Sequence, residues 1–331
     1  MTLARRVTDF DEDDVRVRPG RRGSRPRTRI RPAHEDAVTG FVTAVDRGRY
    51  RCLVEGRTVT AMRARELGRK GVVVGDRVAL VGDVSGEPDT LARVVRVETR
   101  RSVLRRTADD TDPVERIIVA NADQLVVVTA LADPEPRPRM IDRCLVAAYD
   151  AGMDPLLVLT KADLASPDAL LAAYAPLGVP HVVTRRGSDP VELRKLLEGK
   201  ISVLVGHSGV GKSTLVNALV PEADRAVGRV NAVTGRGRHT SSSAIALELP
   251  SGGWIIDTPG VRGFGLAHVD TGELVGFFPD LAEGAAECPR GCTHLQPDCA
   301  LDAWVAGGHA DEARLDSLRR LLTAREAPDT D

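Results

Sequence analysis

The run Gly206-His207-Ser208-Gly209-Val210-Gly211-Lys212-Ser213-Thr214 has the residue types and spacing of a phosphate cradle. Glycine admits backbone angles that a Cβ resists. The N–H groups of such a loop converge on phosphate oxygens at the positive end of the helix that follows. Lys212 supplies a point charge for β- and γ-phosphates, and the Ser213 hydroxyl is placed to hold Mg²⁺. The flanks fit this chemistry: Ile201–Val205 reads as a short buried strand, and 215–220 as a helix.

Further pieces bear on the same chemistry. Asp257-Thr258-Pro259-Gly260 follows the apolar strand at 254–256, where a carboxylate supports Mg²⁺ and the Gly260 N–H can meet a γ-phosphate. Thr160-Lys161-Ala162-Asp163 ends an apolar strand. One carboxylate there can accept both the ring N–H and the exocyclic NH₂ of guanine, whereas adenine presents an acceptor and would leave it unpaired. The Lys161 stem can lie along the base. The polar, glycine-rich stretch 235–243 reads as a lid whose Thr240 completes the Mg²⁺ shell, with Ser241 and Ser242 behind it. Val261 follows Gly260, where a water-positioning Gln stands in Ras-like enzymes, so another polar group must place water. His239 in the lid is the candidate, against the plainer reading of a solvated loop histidine.

Three of the five cysteines cluster as Cys288-x₃-Cys292-x-His294-x₄-Cys299. Three thiols and one imidazole suit one structural, four-coordinate Zn²⁺ per chain, and Pro289 and Gly291 permit the tight loop. No apolar run approaches the roughly 20 residues that span a bilayer, and the N-terminus has no apolar signal core. The expected setting is the cytoplasm, without a membrane partner. In that reducing compartment the cluster points to metal rather than disulfide. The net charge of −1 excludes a simple polycation.

The elements that must carry these residues follow from periodicity. Residues 1–36 are arginine-rich and poor in aliphatics, a disordered arm that either solubilises the chain or settles on RNA phosphates. Five short strand signals in 37–100 predict a small closed β-barrel with the oligonucleotide-binding (OB) fold as first choice. Its arginines and few aromatics favour backbone contacts to RNA. Residues 101–116 read as a polar linker. From there to 270, apolar strands alternate with helices, predicting an α/β domain with a parallel sheet covered on both faces. Residues 271–331 hold the metal cluster and a helical stripe of Leu315, Leu318, Leu321 and Leu322, expected to pack on the α/β domain. The guanine-reading turn precedes the phosphate loop, the reverse of the usual order. Permutation tolerates this, since the termini of compact domains often lie close together.

With TKADL before GHSGVGKST, GRHTSSS, DTPGVRGFGL, the segment IIVANADQLVVVTA, the preceding barrel and the cysteine-histidine cluster, residues 37–325 resemble the ribosome small-subunit-dependent GTPase A family of circularly permuted GTPases. The resemblance implies an OB-fold, a permuted GTPase domain and a small helical zinc domain. It also implies GTP hydrolysis stimulated by the small ribosomal subunit during its late maturation, with the subunit and its rRNA as partners, GTP and GDP as ligands, and a lid histidine matched by His239. A monomer is expected. The chain departs from the family at Thr160, where Asn is commoner, at Ser241 and Ser242, where threonines are preferred, and in its shorter zinc spacing. Two other readings stay open: an rRNA-binding assembly factor without catalysis, for which GTP is an allosteric ligand, and an ATP-dependent P-loop enzyme.

Overall fold

The structure, a computed structural model, describes residues 34–67, 71–106, 116–221, 223, 244–258, 266, 269 and 271–326. Most of the N-terminal arm, the lid with His239 and Thr240, and Gly260 lie outside them.

Strands β1 (Val38–Asp46), β2 (Arg49–Val54), β3 (Arg57–Arg63), β4 (Arg77–Gly82) and β5 (Ala92–Val97) run in the order β1-β2-β3-β5-β4. A second pairing of β4 with β1 closes them into a barrel, as the strand signals predict. Alternation along each strand sends every second side chain inward, so Val42, Cys52, Val59, Val78, Leu80 and Val94 share one buried core.

The segment read as a polar linker is partly a hairpin, β6 (Val103–Arg106) with β7 (Arg116–Ala120). Flanking charges hid it in the sequence. Its apolar content is short, but Leu104, Val119 and Ala120 are buried. Val119 bridges to Val74, and Asn121 Nδ2 donates to the Gly75 carbonyl at 2.9 Å, which seats the hairpin on the barrel.

The central layer contains β8 (Gln124–Ala130), α1 (Pro138–Asp150), β9 (Asp154–Thr160), α2 (Asp168–Tyr174), β10 (His181–Val183), α3 (Val191–Leu197), β11 (Ile201–Val205), α4 (Lys212–Leu219), β12 (Ile245–Glu248) and β13 (Trp254–Asp257). The order is β10-β9-β8-β11-β13-β12. All seven residues of β8 are buried, the mark of a strand covered on both faces. Leu125 and Val127 feed the core under α1. Val126, Val128 and Ala130 feed the core with Leu193, Leu197, Leu215 and Leu219 of α3 and α4.

The sheet is not wholly parallel. β12 runs antiparallel to β13 through the tight turn at Gly252 and Gly253, a hairpin signal that the βα alternation obscured. Ala44 of β1 pairs with Ile245 of β12, and Ile245 pairs onward with Asp257. Barrel and central layer are therefore one sheet of eleven strands among the described residues.

The C-terminal part holds α5 (Thr271–Leu274), α6 (Pro279–Ala285), α7 (Ala300–Ala306) and α8 (Glu312–Glu326). The leucine stripe of α8 enters the same core as Ile141, Cys144 and Leu145 of α1. Two polar ties reinforce it, Arg320 Nε to Asp142 at 3.2 Å and Arg143 Nη1 to the Ala324 carbonyl at 2.8 Å. Burial raises the Asp142 carboxyl above the usual range, while the Arg320 charge opposes the shift. No helix among the described residues is long and apolar enough to cross a membrane.

Candidate functional site

The loop from Gly206 to Gly211 links β11 to α4, and its three glycines meet two different demands. Gly209 and Gly211 have φ of 83° and 91°, the left-handed region that glycine occupies without steric cost. Gly206 answers to space: a Cβ there would lie 2.4 Å from the Val128 carbonyl oxygen. His207 Nδ1 sits 3.0 Å from the Ser208 carbonyl, and Val210 is buried beneath the turn. Ser213 and Thr214 are exposed in the first turn of α4.

Parallel pairing of β11 with β13 brings Asp257 opposite Leu204, at the base of the loop. Lys212 Nζ lies 3.2 Å from Asp257 Oδ1 and donates to the Thr258 carbonyl at 3.2 Å. Asp257 Oδ1 is buried and accepts no hydrogen bond from the described residues, so the lysine meets it as a charge contact. A buried carboxylate oxygen left this way is suited to a cation or to the water a cation carries.

The turn after β9 reaches the same end of the sheet. Thr160 is buried and its Oγ1 donates to the Val210 carbonyl at 2.6 Å, a bond between this turn and the loop before α4. In the sequence, Thr160 stands out only as a departure on the base side. Lys161, at φ 58°, donates its Nζ to the Asp133 carbonyl. Asp163 is exposed and lines a cavity of about 640 Å³ that Gly211 and Thr214 also line.

Sequence reasoning missed one wall of this cavity. Thr184 to Ser188 follow β10, and the Arg186 N–H donates to Asp163 Oδ1 at 3.3 Å. The Thr184 carbonyl accepts from the Ala162 N–H at 3.2 Å, holding the two turns side by side. The signal was present: a polar turn with Gly187 directly after a short apolar strand. Its meaning depended on β10 lying beside β9.

The four cluster residues form a second centre. Their ligand atoms all lie within 4.8 Å of one another and could hold a metal ion. The shortened spacing does not keep them apart, because a turn from the Cys292 N–H to the Pro289 carbonyl folds the loop tightly. The His294 N–H points at Cys292 Sγ, 3.4 Å away. Burial, followed by the Arg319 charge, lowers the His294 pKa and favours the neutral imidazole that a metal needs. Burial, with the sulfurs of Cys288 and Cys292 adding to it, pushes the Cys299 thiol up to about 12. A bound cation reverses that penalty on the thiolate.

The model of the family described as RsgA GTPase matches residues 97–267, more than half the chain. The chain belongs to the RsgA GTPase family. Family membership makes it a GTPase. It is 40% identical over 268 residues to a protein of Azotobacter vinelandii named small ribosomal subunit biogenesis GTPase RsgA, covering 78% of this chain and 76% of that one. A protein of the same name from Chlorobaculum parvum is 36% identical over 299 residues, covering 86% and 95% of the two chains. Among solved structures, YjeQ from Thermotoga maritima matches with a TM-score of 0.65 at 26% identity, covering 88% of this chain and 99% of that one. YloQ, described as a circularly permuted GTPase, matches in fold with a TM-score of 0.63 at 23% identity, covering 89% and 96%. The permuted order is visible in this RsgA-family chain itself, where β9 and the Asp163 turn precede β11 and its loop.

Proposed function

We propose that the chain hydrolyses GTP during late maturation of the small ribosomal subunit, and that the subunit stimulates this turnover. The observation that carries the reading is the cavity flanked by Asp163 and by the loop that leads to Lys212. The names of its relatives supply the ribosomal context.

Within this reading Asp163 accepts the two guanine donors, with the Lys161 stem beside the base and Thr160 behind it. The backbone from Gly206 through His207, Ser208, Gly209, Val210 and Gly211, with Lys212 and Thr214, cradles the phosphates. Ser213 and Asp257 would hold the Mg²⁺ that GTP brings with it, which would supply positive charge against the phosphates. Thr240 completes that shell, Gly260 donates to the γ-phosphate and His239 places the attacking water. Developing charge on the γ-phosphoryl is stabilised by Lys212 and the loop amides.

The resident metal is Zn²⁺, one per chain and structural. A tetrahedron with Zn–S of about 2.3 Å has S···S edges of about 3.8 Å and S···N edges of about 3.6 Å. Cys288 Sγ to Cys299 Sγ is 3.8 Å, and Cys299 Sγ and Cys288 Sγ lie 3.6 and 3.7 Å from His294 Nδ1. The barrel, with exposed Arg49, Arg57, Arg63, Arg93 and Arg96, takes the rRNA backbone. The protein acts as a cytoplasmic monomer.

The test is GTP turnover with and without purified small subunits, for the wild type and for His239→Ala. Stimulation in the wild type that the variant loses is the expected result. A wild type that the subunit does not stimulate would overturn the coupling of turnover to the subunit and favour GTP as an allosteric ligand of an assembly factor. Equal competition by ATP and GTP would reject the guanine assignment.

A further inference from the structure

The Cys288, Cys292, His294 and Cys299 side chains point at one another across the twelve-residue loop, with Cys288 Sγ 3.8 Å from Cys299 Sγ. His294 has φ of 60°, a left-handed conformation that a residue with a Cβ keeps only when its surroundings impose it. Cys299 ends the loop as the N-cap of α7.

Both halves are reached by one side chain from α8. Arg319 Nε donates to the His294 carbonyl at 3.0 Å. Its Nη1 and Nη2 donate to the two oxygens of Asp302 at 2.8 and 2.7 Å. Asp302 lies in the first turn of α7. The planar guanidinium thus has its forked end pinned by α7 and its third donor aimed at the histidine backbone, a geometry that a lysine ammonium cannot reproduce.

The helix that carries Arg319 is itself anchored. Arg320, the next residue, pairs with Asp142 of α1 and lies over the Tyr174 ring, 4.8 Å from its centre. Leu315, Leu318, Leu321 and Leu322 are buried.

We propose that Arg319 is the positioning residue of the metal centre. It clamps the backbone of one ligand and the helix bearing another, and so links metal occupancy to the seating of α8 on the nucleotide domain. The inference rests on the metal reading above but adds a residue outside the ligand set. Partners that orient ligands in this way contribute about 10- to 100-fold in metal affinity.

The experiment uses the full chain loaded with Co²⁺, whose visible bands report thiolate geometry, and measures Zn²⁺ affinity by chelator competition. Arg319→Ala should weaken Zn²⁺ about 10- to 100-fold and alter the Co²⁺ spectrum. Arg319→Lys should fall between it and the wild type, and so should Asp302→Asn. Guanine-nucleotide affinity of each variant provides the check on folding. In the wild type, metal removal should raise hydrogen exchange in α8 as well as in the loop. Arg319→Ala with unchanged Zn²⁺ affinity and an unchanged Co²⁺ spectrum would overturn the proposal, as would α8 exchange indifferent to metal. A wild type that takes up no Co²⁺ would overturn the metal reading and this inference together.

Discussion

The cavity beside the Asp163 turn and the cysteine–histidine loop are built on opposite plans. The four cluster residues fall within twelve consecutive positions. The cavity collects Asp133, Thr160, Asp163, Arg186 and Gly211, the ends of strands that meet only because the sheet orders them β10-β9-β8-β11. A loop of that length can bring soft ligands together by local turns. A pocket for a base at one end and phosphates at the other needs several strand ends at the right spacing, and a parallel sheet supplies them along one edge. On the metal reading the two also fail differently: the loop would depend on a cation to offset its thiolates, whereas the pocket depends on a core that exists without ligand.

Asp163→Asn puts this contrast under the greatest strain. Replacing the acceptor pair should lower the preference for GTP over ATP on the order of 10³-fold, read from competition binding. It should also admit xanthosine triphosphate, whose 2-carbonyl accepts the new amide N–H. If selectivity survives, the base is read elsewhere. Next in size, Lys212→Ala should slow single-turnover hydrolysis by about 100-fold or more while metal content stays at the wild-type value. A parallel loss of metal would mean that the two centres are not separate.

Chelation probes the other member of the pair. Stripping the metal should expose 288–299 to hydrogen exchange and leave nucleotide affinity within about a factor of two, since the sites share no residue. A larger change in nucleotide affinity would show that the loop supports the cavity through α8 and α1. Among the substitutions the smallest expected effect belongs to Thr160→Val, which keeps the shape and removes the donor to Val210. Losing that bond should cost about 1 kcal/mol, roughly a fivefold weakening of GTP binding. An unchanged affinity would mean that the turn and the phosphate loop are held in register by the sheet alone.

Strong signals made much of the fold legible in the sequence. Mostly apolar runs such as Gln124–Ala130 announced buried strands, and alternation over Val38–Asp46 announced a half-buried one. Weak or composite signals failed. Val103 and Leu104 are too short a run to stand out among arginines, and their strand exists because β7 pairs with it. Ile245–Glu248 was lost between a polar stretch and the acid strand, although Gly252 and Gly253 mark its hairpin. Thr160 stood out only as a departure from the family's commoner Asn because its partner, Val210, lies fifty residues away.

Two parts of the molecule follow from the order of residues alone, because neighbours in the chain carry their chemistry: the turn between β11 and α4, and the clustering of three cysteines with a histidine. Folding in three dimensions chose the distant pieces that complete them, namely the Asp163 turn tied to Val210 through Thr160, the wall from Thr184 to Ser188, the barrel strand joined to β12 at Ala44, and Arg319 across the metal loop. The difference is one of range. Local backbone preferences act over a few residues, whereas strand order and helix docking are set by burying two core faces at once, and the sequence states that outcome only as a sum over many weak contacts.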